Sequence, residues 1–142
     1  LIDEYFNNYP KVKEYMNNMI QKAREEGYVE TIYGRKRFLP DINSRNAAVR
    51  SYNERNAINA PLQGSAADII KIAMIKVYNA IKEKGLKSKL ILQVHDELII
   101  DAFIDEKEKV EKILVEEMEG AVNLSVKLTV GLGCGKTWFD AK

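Results

Sequence analysis

Apolar residues recur at helical spacing through the first part of the chain. They lie three or four residues apart in residues 1–6 and again in residues 12–23, which predicts two helices. Pro10 is typical of the first turn of the second helix, and Gly27 is typical of its C-terminal cap. Because the helical pattern is already present at Leu1, with no capping residue before it, we expect the chain to be part of a longer protein.

Strand and helix patterns alternate along the middle of the chain. Residues 28–40, with the sequence YVETIYGRKRFLP, predict two short strands joined near Gly34. Residues 44–59 are polar and compatible with a helix, and residues 65–84 carry an apolar face that predicts another helix. Residues 88–102 predict two strands that meet around a polar triplet.

The last part of the chain predicts one more helix and one more strand. Asp105 and Glu108 have the spacing of a capping box, for a helix that runs to about Gly120. Residues 124–132, LSVKLTVGL, alternate between apolar and polar and predict a strand with one buried face. This order of elements predicts an α+β fold in which an antiparallel β-sheet packs against α-helices.

Composition is that of an ordinary globular domain. Of the 142 residues, 46% are hydrophobic and 30% are charged. No apolar run approaches the roughly eighteen residues of a membrane span, and no basic-then-apolar leader opens the chain. A single cysteine, Cys134, excludes an internal disulfide framework and a cysteine-rich zinc site. We therefore expect a cytoplasmic protein without a membrane partner.

Charge is unevenly distributed although the net charge is only +1. Residues 31–55 hold six basic and two acidic residues, whereas residues 96–119 hold ten acidic and three basic residues. The two segments are compatible with differently solvated surfaces, or with a polyanion site beside a cation site. Within the basic segment, GRKR at residues 34–37 would either form an exposed basic turn or grip a phosphate backbone.

The sequence ERNAINAPLQGSAAD combines side chains suited to nucleic acid with a helix-breaking proline. Arg55, Asn59 and Gln63 lie four residues apart and would form one row on a continuous helix, available to phosphate, sugar or base edges. Pro61 favours a different interpretation, in which a helix begins near this proline and Asn59 caps it. The small residues 64–67 leave room for the close approach of another backbone or a ligand.

The triplet His95, Asp96 and Glu97 interrupts the β-forming apolar run LILQVHDELII. Successive strand residues point to opposite faces, so both carboxylates could serve one ligand only if His95 and Asp96 form a hairpin turn. Paired carboxylates at the rim of a sheet suit Mg²⁺, which prefers oxygen ligands and commonly serves phosphoryl transfer. The alternative is a polar turn without a ligand, in which a local bond satisfies His95.

The terminal sequence GLGCGKT is similar to a phosphate-binding loop but has the wrong spacing. Such a loop needs a glycine five residues before Gly135, and that position is Val130. We therefore interpret these glycines as a turn at the end of a strand.

Together these segments resemble one enzyme family. The order TIYGRKRFLPD, ERNAINAPLQGSAAD, LQVHDELII and VGLGCGKTW resembles the C-terminal part of the family A DNA polymerases, the bacterial DNA polymerase I group. QVHDE matches the third polymerase motif of the family, and NAPLQGSAAD matches its helix along the duplex. The resemblance covers essentially all 142 residues, with matching order and spacing.

The resemblance implies a DNA-directed DNA polymerase that adds deoxynucleotides, supplied as triphosphates, to a primer 3′-OH, with two Mg²⁺ ions in the complete enzyme. Asp96 would be one of the two aspartates that bind these ions, and Glu97 would be its supporting neighbour. His95 would lie near the primer 3′ end. The other implied contacts with primer–template DNA are Arg37, Arg55, Asn59 and Gln63.

The resemblance also implies an organisation into subdomains. Residues 1–50 would be part of the fingers subdomain, with helices and a short hairpin, and residues 51–142 would be the C-terminal part of the palm. The first motif of the family, Asp-Tyr-Ser-x-Ile-Glu, and the fingers helix that holds the incoming nucleotide do not occur in this sequence. We therefore expect the chain to need the remainder of the polymerase chain and to be inactive alone.

Two other functions are compatible with these residues. A self-contained metal-dependent nuclease or phosphohydrolase would centre on the triplet His95, Asp96 and Glu97, and would require another carboxylate within reach of the metal. A non-catalytic nucleic-acid-binding module would use the four predicted DNA-contacting residues outside the triplet.

Overall fold

The structure, a computed structural model, describes residues 2–141, which contain four α-helices and two antiparallel strand pairs. The chain divides into two compact units, one that ends at Ala66 and one that begins at Ala67. The predicted α+β class is confirmed. The elements in chain order are α1 (Ile2–Asn8), α2 (Pro10–Glu26), β1 (Tyr28–Glu30), β2 (Lys36–Phe38), α3 (Ala47–Glu83), β3 (Lys89–Val94), β4 (Glu97–Asp101) and α4 (Lys107–Glu119), with 3₁₀ turns at Ile104–Glu106 and Phe139–Ala141.

The core of the first unit joins α2, the β1–β2 hairpin and the first part of α3. Helix α2 begins at Pro10 and is capped at its C-terminus by Gly27, as predicted; the glycine adopts a left-handed conformation with φ of 80°. Gly34 also has a positive φ, in the turn between β1 and β2. The buried core residues are Ala23, Val29, Leu39, Ile42 and Ala57.

Helix α3 runs without interruption across Pro61, so the prediction of separate helices over residues 44–59 and 65–84 is wrong. The interpretation of Asn59 as a cap is wrong for the same reason. Proline removes one amide donor from the helix. Packing outweighs this loss, because Pro61 is buried and the Tyr15 hydroxyl donates to the Ile58 carbonyl oxygen at 3.0 Å. Partial burial also raises the pKa of the Tyr15 phenol.

The core of the second unit joins the last part of α3, the β3–β4 hairpin and α4. Val77, Ile81 and Ile113 are buried there, and Leu98 and Ile100 of β4 pack against them. One face of the hairpin is therefore anchored on two helices, which gives its turn a fixed support.

The predicted capping box of Asp105 and Glu108 does not form. Helix α4 begins at Lys107 after a 3₁₀ turn, with no side-chain cap. Instead, the Glu106 carboxylate accepts hydrogen bonds from the backbone amides of Lys87 and Ser88, at 3.0 and 2.9 Å, and from the Ser88 hydroxyl at 2.6 Å. This carboxylate is therefore unavailable as a helix cap, and its bonds tie the residue before α4 to the two residues before β3.

The prediction of a strand over residues 124–132 is wrong. Within the described part of the chain no strand is formed after β4, and Val126 is 78% exposed. Alternation alone does not make a strand without a partner to pair with its amides and carbonyls. The segment is tied instead to Glu119 at the end of α4, which accepts from the Val130 amide at 3.1 Å and pairs with Lys127 at 3.4 Å.

The glycines of GLGCGKT permit a close approach between backbones. A Cβ atom at Gly133 would overlap the Ala141 carbonyl oxygen, and one at Gly135 would crowd Asp140. Because residues 124–132 form no strand, the interpretation of a strand-end turn is wrong, and the glycines instead contact the final 3₁₀ turn.

Candidate nucleic-acid groove and carboxylate hairpin

The first unit contains a groove between the β1–β2 hairpin and helix α3, with a volume of about 410 Å³. Basic side chains from the hairpin form one wall, and amide side chains from α3 form the other. The lining residues that carry these groups are Arg35, Lys36, Arg37, Asn56, Asn59 and Gln63.

The structure brings together three of the predicted DNA-contacting residues: Arg37, Asn59 and Gln63 line this groove. Arg55 lies on the same helix but is not among the lining residues, and its guanidinium donates to the Ser51 hydroxyl at 3.1 Å. Arg55, Asn59 and Gln63 can therefore form the predicted row on the continuous helix, but Arg55 lies outside the groove.

Sequence reasoning missed Asn56. The groove follows the helix face of Asn56, Asn59 and Gln63, whose spacings of three and four residues place them on one face. The choice of a strict four-residue row selected Arg55 in its place. The helical spacing itself was the available signal, because Asn56 satisfies it as well as Arg55 does.

Strand β2 carries two of the basic side chains that line the groove, those of Lys36 and Arg37. Arg37 pairs with Val29, which is fully buried, while the Arg37 side chain is exposed. The Lys36 ammonium lies 4.1 Å from the centroid of the Tyr28 ring, within range of a cation–π contact. Lys36 and Arg37 thus belong to β2 itself, beyond the turn at Gly34.

One carboxylate, Glu30, lies in the groove and is paired within the first unit. The Lys22 ammonium is 2.6 Å from its oxygen, and this hydrogen bond holds the pKa of Glu30 below its usual range. The same bond raises the pKa of Lys22. Because the local anion is paired, Arg35, Lys36 and Arg37 dominate the charge of the groove, as a polyanion site requires.

In the second unit, His95 and Asp96 form a two-residue turn between β3 and β4, as predicted for a hairpin tip. Val94 and Glu97 are the last strand pair before the turn. The side chains of the triplet are exposed. Because Asp96 lies in the turn and not in a strand, its carboxylate is not required to point to the face opposite that of Glu97.

The backbone at the tip is strained. His95 has φ of 53°, the left-handed region that non-glycine residues seldom occupy. The first central position of a tight hairpin turn demands such a value. The Gln93 side-chain amide donates to the His95 carbonyl oxygen at 2.6 Å and holds the turn in this conformation. Sequence reasoning missed this role of Gln93.

The donor set at the tip fits part of a coordination sphere for a hard cation. Asp96 and Glu97 offer carboxylate oxygens, which Mg²⁺ prefers while it keeps several water ligands. Across residues 2–141, no group of three or more histidine, cysteine, aspartate or glutamate side chains is arranged to hold a metal ion. Two adjacent carboxylates alone leave ligands to be supplied by other groups.

Comparison with known proteins gives close relatives. The chain is 54% identical to DNA polymerase I of Caldicellulosiruptor bescii and 52% identical to DNA polymerase I of Bacillus caldotenax, each over 141 residues and 99% of this chain. It spans only 17% and 16% of their lengths. The structure is similar to the POL domain of Pol1 from M. smegmatis in complex with DNA primer-template and dNTP. The TM-score is 0.96 with 45% identity, over 99% of this chain and 25% of that one.

Two further findings concern the chain as a whole. Among the helices of residues 2–141, none has the length and apolar character needed to cross a membrane. The sequence profile described as DNA polymerase family A matches residues 1–140. Enzymes of that family depend in general on divalent metal ions. These matches confirm the predicted resemblance: the chain belongs to DNA polymerase family A.

Proposed function

We propose that this chain is the C-terminal part of a DNA-directed DNA polymerase, which transfers deoxynucleotides from their triphosphates to a primer 3′-OH under the direction of a template. The observation that carries the proposal is the carboxylate hairpin at His95–Glu97 in a chain of this family. The complete polymerase to which the chain would belong is called the parent protein below.

The proposed catalytic contribution of this chain is the pair Asp96 and Glu97. Their carboxylates would bind Mg²⁺, with Asp96 as a direct ligand and Glu97 as its neighbour. When bound, a pair of ions supplies charge neutralisation at the phosphate and activation of the primer hydroxyl. The chain itself contributes orientation: the two-residue turn projects the carboxylates, and the packing of β4 on Ile81 and Ile113 fixes the strand that bears them.

The proposed DNA contacts divide by chemistry. Arg37 would bind the phosphate backbone, while Arg55, Asn59 and Gln63 would contact the primer–template mainly through the minor groove, where acceptors occupy similar positions in all correct base pairs. His95 would lie near the primer 3′ end. The M. smegmatis relative, described with primer-template and dNTP, supports DNA and nucleotide as partners of the parent protein.

The finer organisation is proposed on the same basis. Residues 1–50 would belong to the fingers subdomain and residues 51–142 to the palm, with the remainder of the polymerase chain as an obligatory partner. We also propose a cytoplasmic location, in contact with the DNA of the nucleoid.

Primer extension by the parent protein tests this function. We expect Mg²⁺-dependent extension that is lost in Asp96→Asn, whereas the 142-residue chain alone does not extend a primer. Extension by the isolated chain would contradict the need for the remainder of the polymerase. Metal-dependent DNA cleavage by the isolated chain, lost in Asp96→Ala, would replace the proposal with a nuclease. Salt-dependent DNA binding without turnover by the parent protein would replace it with a binding module.

A further inference from the structure

The loop of residues 31–35, between β1 and β2, is held in one conformation by its own hydrogen bonds. The Thr31 hydroxyl accepts from the amides of Tyr33 and Arg35, at 3.3 and 3.2 Å. In the main chain, the Gly34 amide donates to the Thr31 carbonyl at 2.9 Å, and the Thr31 amide donates to the Arg35 carbonyl at 3.0 Å. The 31–35 loop is therefore a single hydrogen-bonded unit.

Ser65 joins the 31–35 loop to helix α3 by hydrogen bonds. Its hydroxyl accepts from the Ile32 amide at 2.9 Å and donates to the Pro61 carbonyl oxygen at 2.5 Å. The residue is only 9% exposed. One buried hydroxyl thus joins the loop to a helix carbonyl, because it accepts one hydrogen bond and donates another.

Gly64 lets the loop approach the helix closely. A Cβ atom at this position would lie 2.7 Å from Thr31 Cγ2, well inside van der Waals contact. The Arg35 guanidinium donates to the Gly64 carbonyl oxygen at 3.1 Å and closes the contact. Gly64, one of the small residues noted in QGSAAD, therefore accommodates another part of the same unit.

The two hydrogen bonds of Ser65 connect the β1–β2 hairpin, which forms one wall of the groove, with α3, which forms the other. Gln63 precedes Gly64 on the helix wall, and Arg37 follows the 31–35 loop on the strand wall. We propose that Ser65 is a positioning residue: its hydroxyl fixes the 31–35 loop on α3 and thereby sets the separation at which Arg37 and Gln63 face DNA. This inference rests on the proposed function of the groove.

The expected consequence is a role in discriminating correct from mispaired DNA. Affinity for any duplex comes mainly from phosphate charge, which does not depend on accurate spacing. Sensing of minor-groove acceptors does depend on it, because hydrogen bonds weaken steeply when distance or angle departs from the optimum. Loss of the Ser65 hydroxyl should therefore reduce discrimination more than affinity.

The test uses Ser65→Ala in the parent protein. Equilibrium binding is measured for primer–templates with a matched and a mismatched 3′ end, and extension of both is measured as kcat/KM. We expect the matched-to-mismatched ratio to fall roughly three- to tenfold, the size of effect that loss of one hydrogen bond produces, with little change in the salt dependence of binding. Hydrogen exchange at the Ile32 amide should accelerate.

Two further variants separate positioning from stability. Ser65→Thr keeps a hydroxyl that can bond to the carbonyl four residues back, and it should restore the ratio. Ser88→Ala is the matched control. Ser88 is also buried, donates to Glu106 at 2.6 Å and accepts from the Phe103 amide at 3.0 Å, but it belongs to the second unit. It should lower thermal stability and leave the ratio unchanged.

Each outcome decides the inference. Wild-type discrimination in Ser65→Ala, unaltered exchange at Ile32, or an equal loss in Ser88→Ala would overturn it. A wild-type parent that binds both primer ends equally would overturn it as well. If the wild-type parent fails to extend any primer, the proposed function fails, and the equilibrium binding ratios still decide the role of Ser65.

Discussion

The groove of the first unit and the hairpin tip of the second differ in how their functional side chains are held. In the groove, Ser65 and the 31–35 loop join the two walls through buried or backbone hydrogen bonds. At the tip, Asp96 and Glu97 are exposed side chains on a strained two-residue turn. The geometry of the groove is therefore set by contacts within the first unit, whereas the hairpin orients its two carboxylates but supplies only part of a metal site.

The largest expected effect is on the rate of nucleotide addition, when a carboxylate at the hairpin tip is removed. In the parent protein, Asp96→Asn should lower the rate of nucleotide addition on the order of a thousandfold or more, because a neutral amide removes charge stabilisation worth several kcal/mol. Its affinity for primer–template should change little. Single-turnover primer extension and equilibrium binding measure the two quantities.

Gln63→Ala is the matched change in the groove. It should weaken primer–template binding and lower the matched-to-mismatched ratio, while the rate of addition at saturating matched DNA stays within about tenfold of wild type. If Gln63→Ala abolished addition, or if Asp96→Asn abolished DNA binding, the division of roles between the two regions would be wrong.

The sequence predicted local features that depend on neighbouring residues. Two examples are the left-handed cap at Gly27 and the hairpin turn at His95 and Asp96, each specified within a few positions. The α+β class and the family were predicted for a similar reason, because several such motifs occur in a fixed order.

Features that depend on tertiary contacts were predicted less well. Helix α3 continues across Pro61 because core packing and the Tyr15 hydroxyl support it, and no local pattern contains that information. The predicted strand over residues 124–132 lacked a partner for pairing among the described residues. In the groove, the contact of Ser65 with the 31–35 loop joins residues 33 positions apart, so no local pattern contains it.

A second prediction concerns the close contact between the 31–35 loop and α3 at Gly64. Gly64→Val places branched methyl groups where even a Cβ would lie 2.7 Å from Thr31 Cγ2. We expect local destabilisation of about 2–3 kcal/mol from overpacking, with weaker binding of primer–template. Hydrogen exchange of the amides at Ile32 and Arg35 measures the local opening free energy.

Gly131→Val is the control for that change. A Cβ at Gly131 meets no heavy atom within 4 Å, and the glycine does not have a positive φ. Its substitution should change the local opening free energy by less than about 0.5 kcal/mol. Equal effects at both glycines would show that the approach of the loop to Gly64 is not a tight contact.

A third prediction concerns the strained turn at the tip. His95→Gly and His95→Ala both remove the imidazole, but only glycine adopts φ of 53° without a steric penalty. The glycine variant should be the more stable of the two by about 1 kcal/mol, measured by exchange of the Glu97 amide. Equal stability would indicate that the turn relaxes easily. Any loss of extension attributable to the imidazole should be common to both variants.

The smallest expected effect tests the bonds that tie the base of the hairpin to α4. The backbone amide of Lys87, the Ser88 hydroxyl and the Ser88 amide together hold the pKa of Glu106 below its ordinary value of 4.5. Because folding lowers this pKa, the stabilisation is complete above about pH 4.5 and is lost as the pH falls through the lower folded value. Solvent screening at this partly exposed group keeps the effect modest.

Glu106→Gln should therefore expose the Lys87 and Ser88 amides to faster exchange at pH 7, while the protection factors of wild type and variant converge as the pH falls through the folded pKa of Glu106. Protonation of the wild-type carboxyl removes the same charge that the substitution removes, so convergence is required if these bonds support the hairpin. Glu108→Gln, two residues further along the chain, should leave these protection factors unchanged across the same pH range. A difference between wild type and Glu106→Gln that persists undiminished down to the lowest pH at which the protein stays folded would assign the effect to side-chain packing, and the hairpin would then owe its support to the contacts of Leu98 and Ile100 alone.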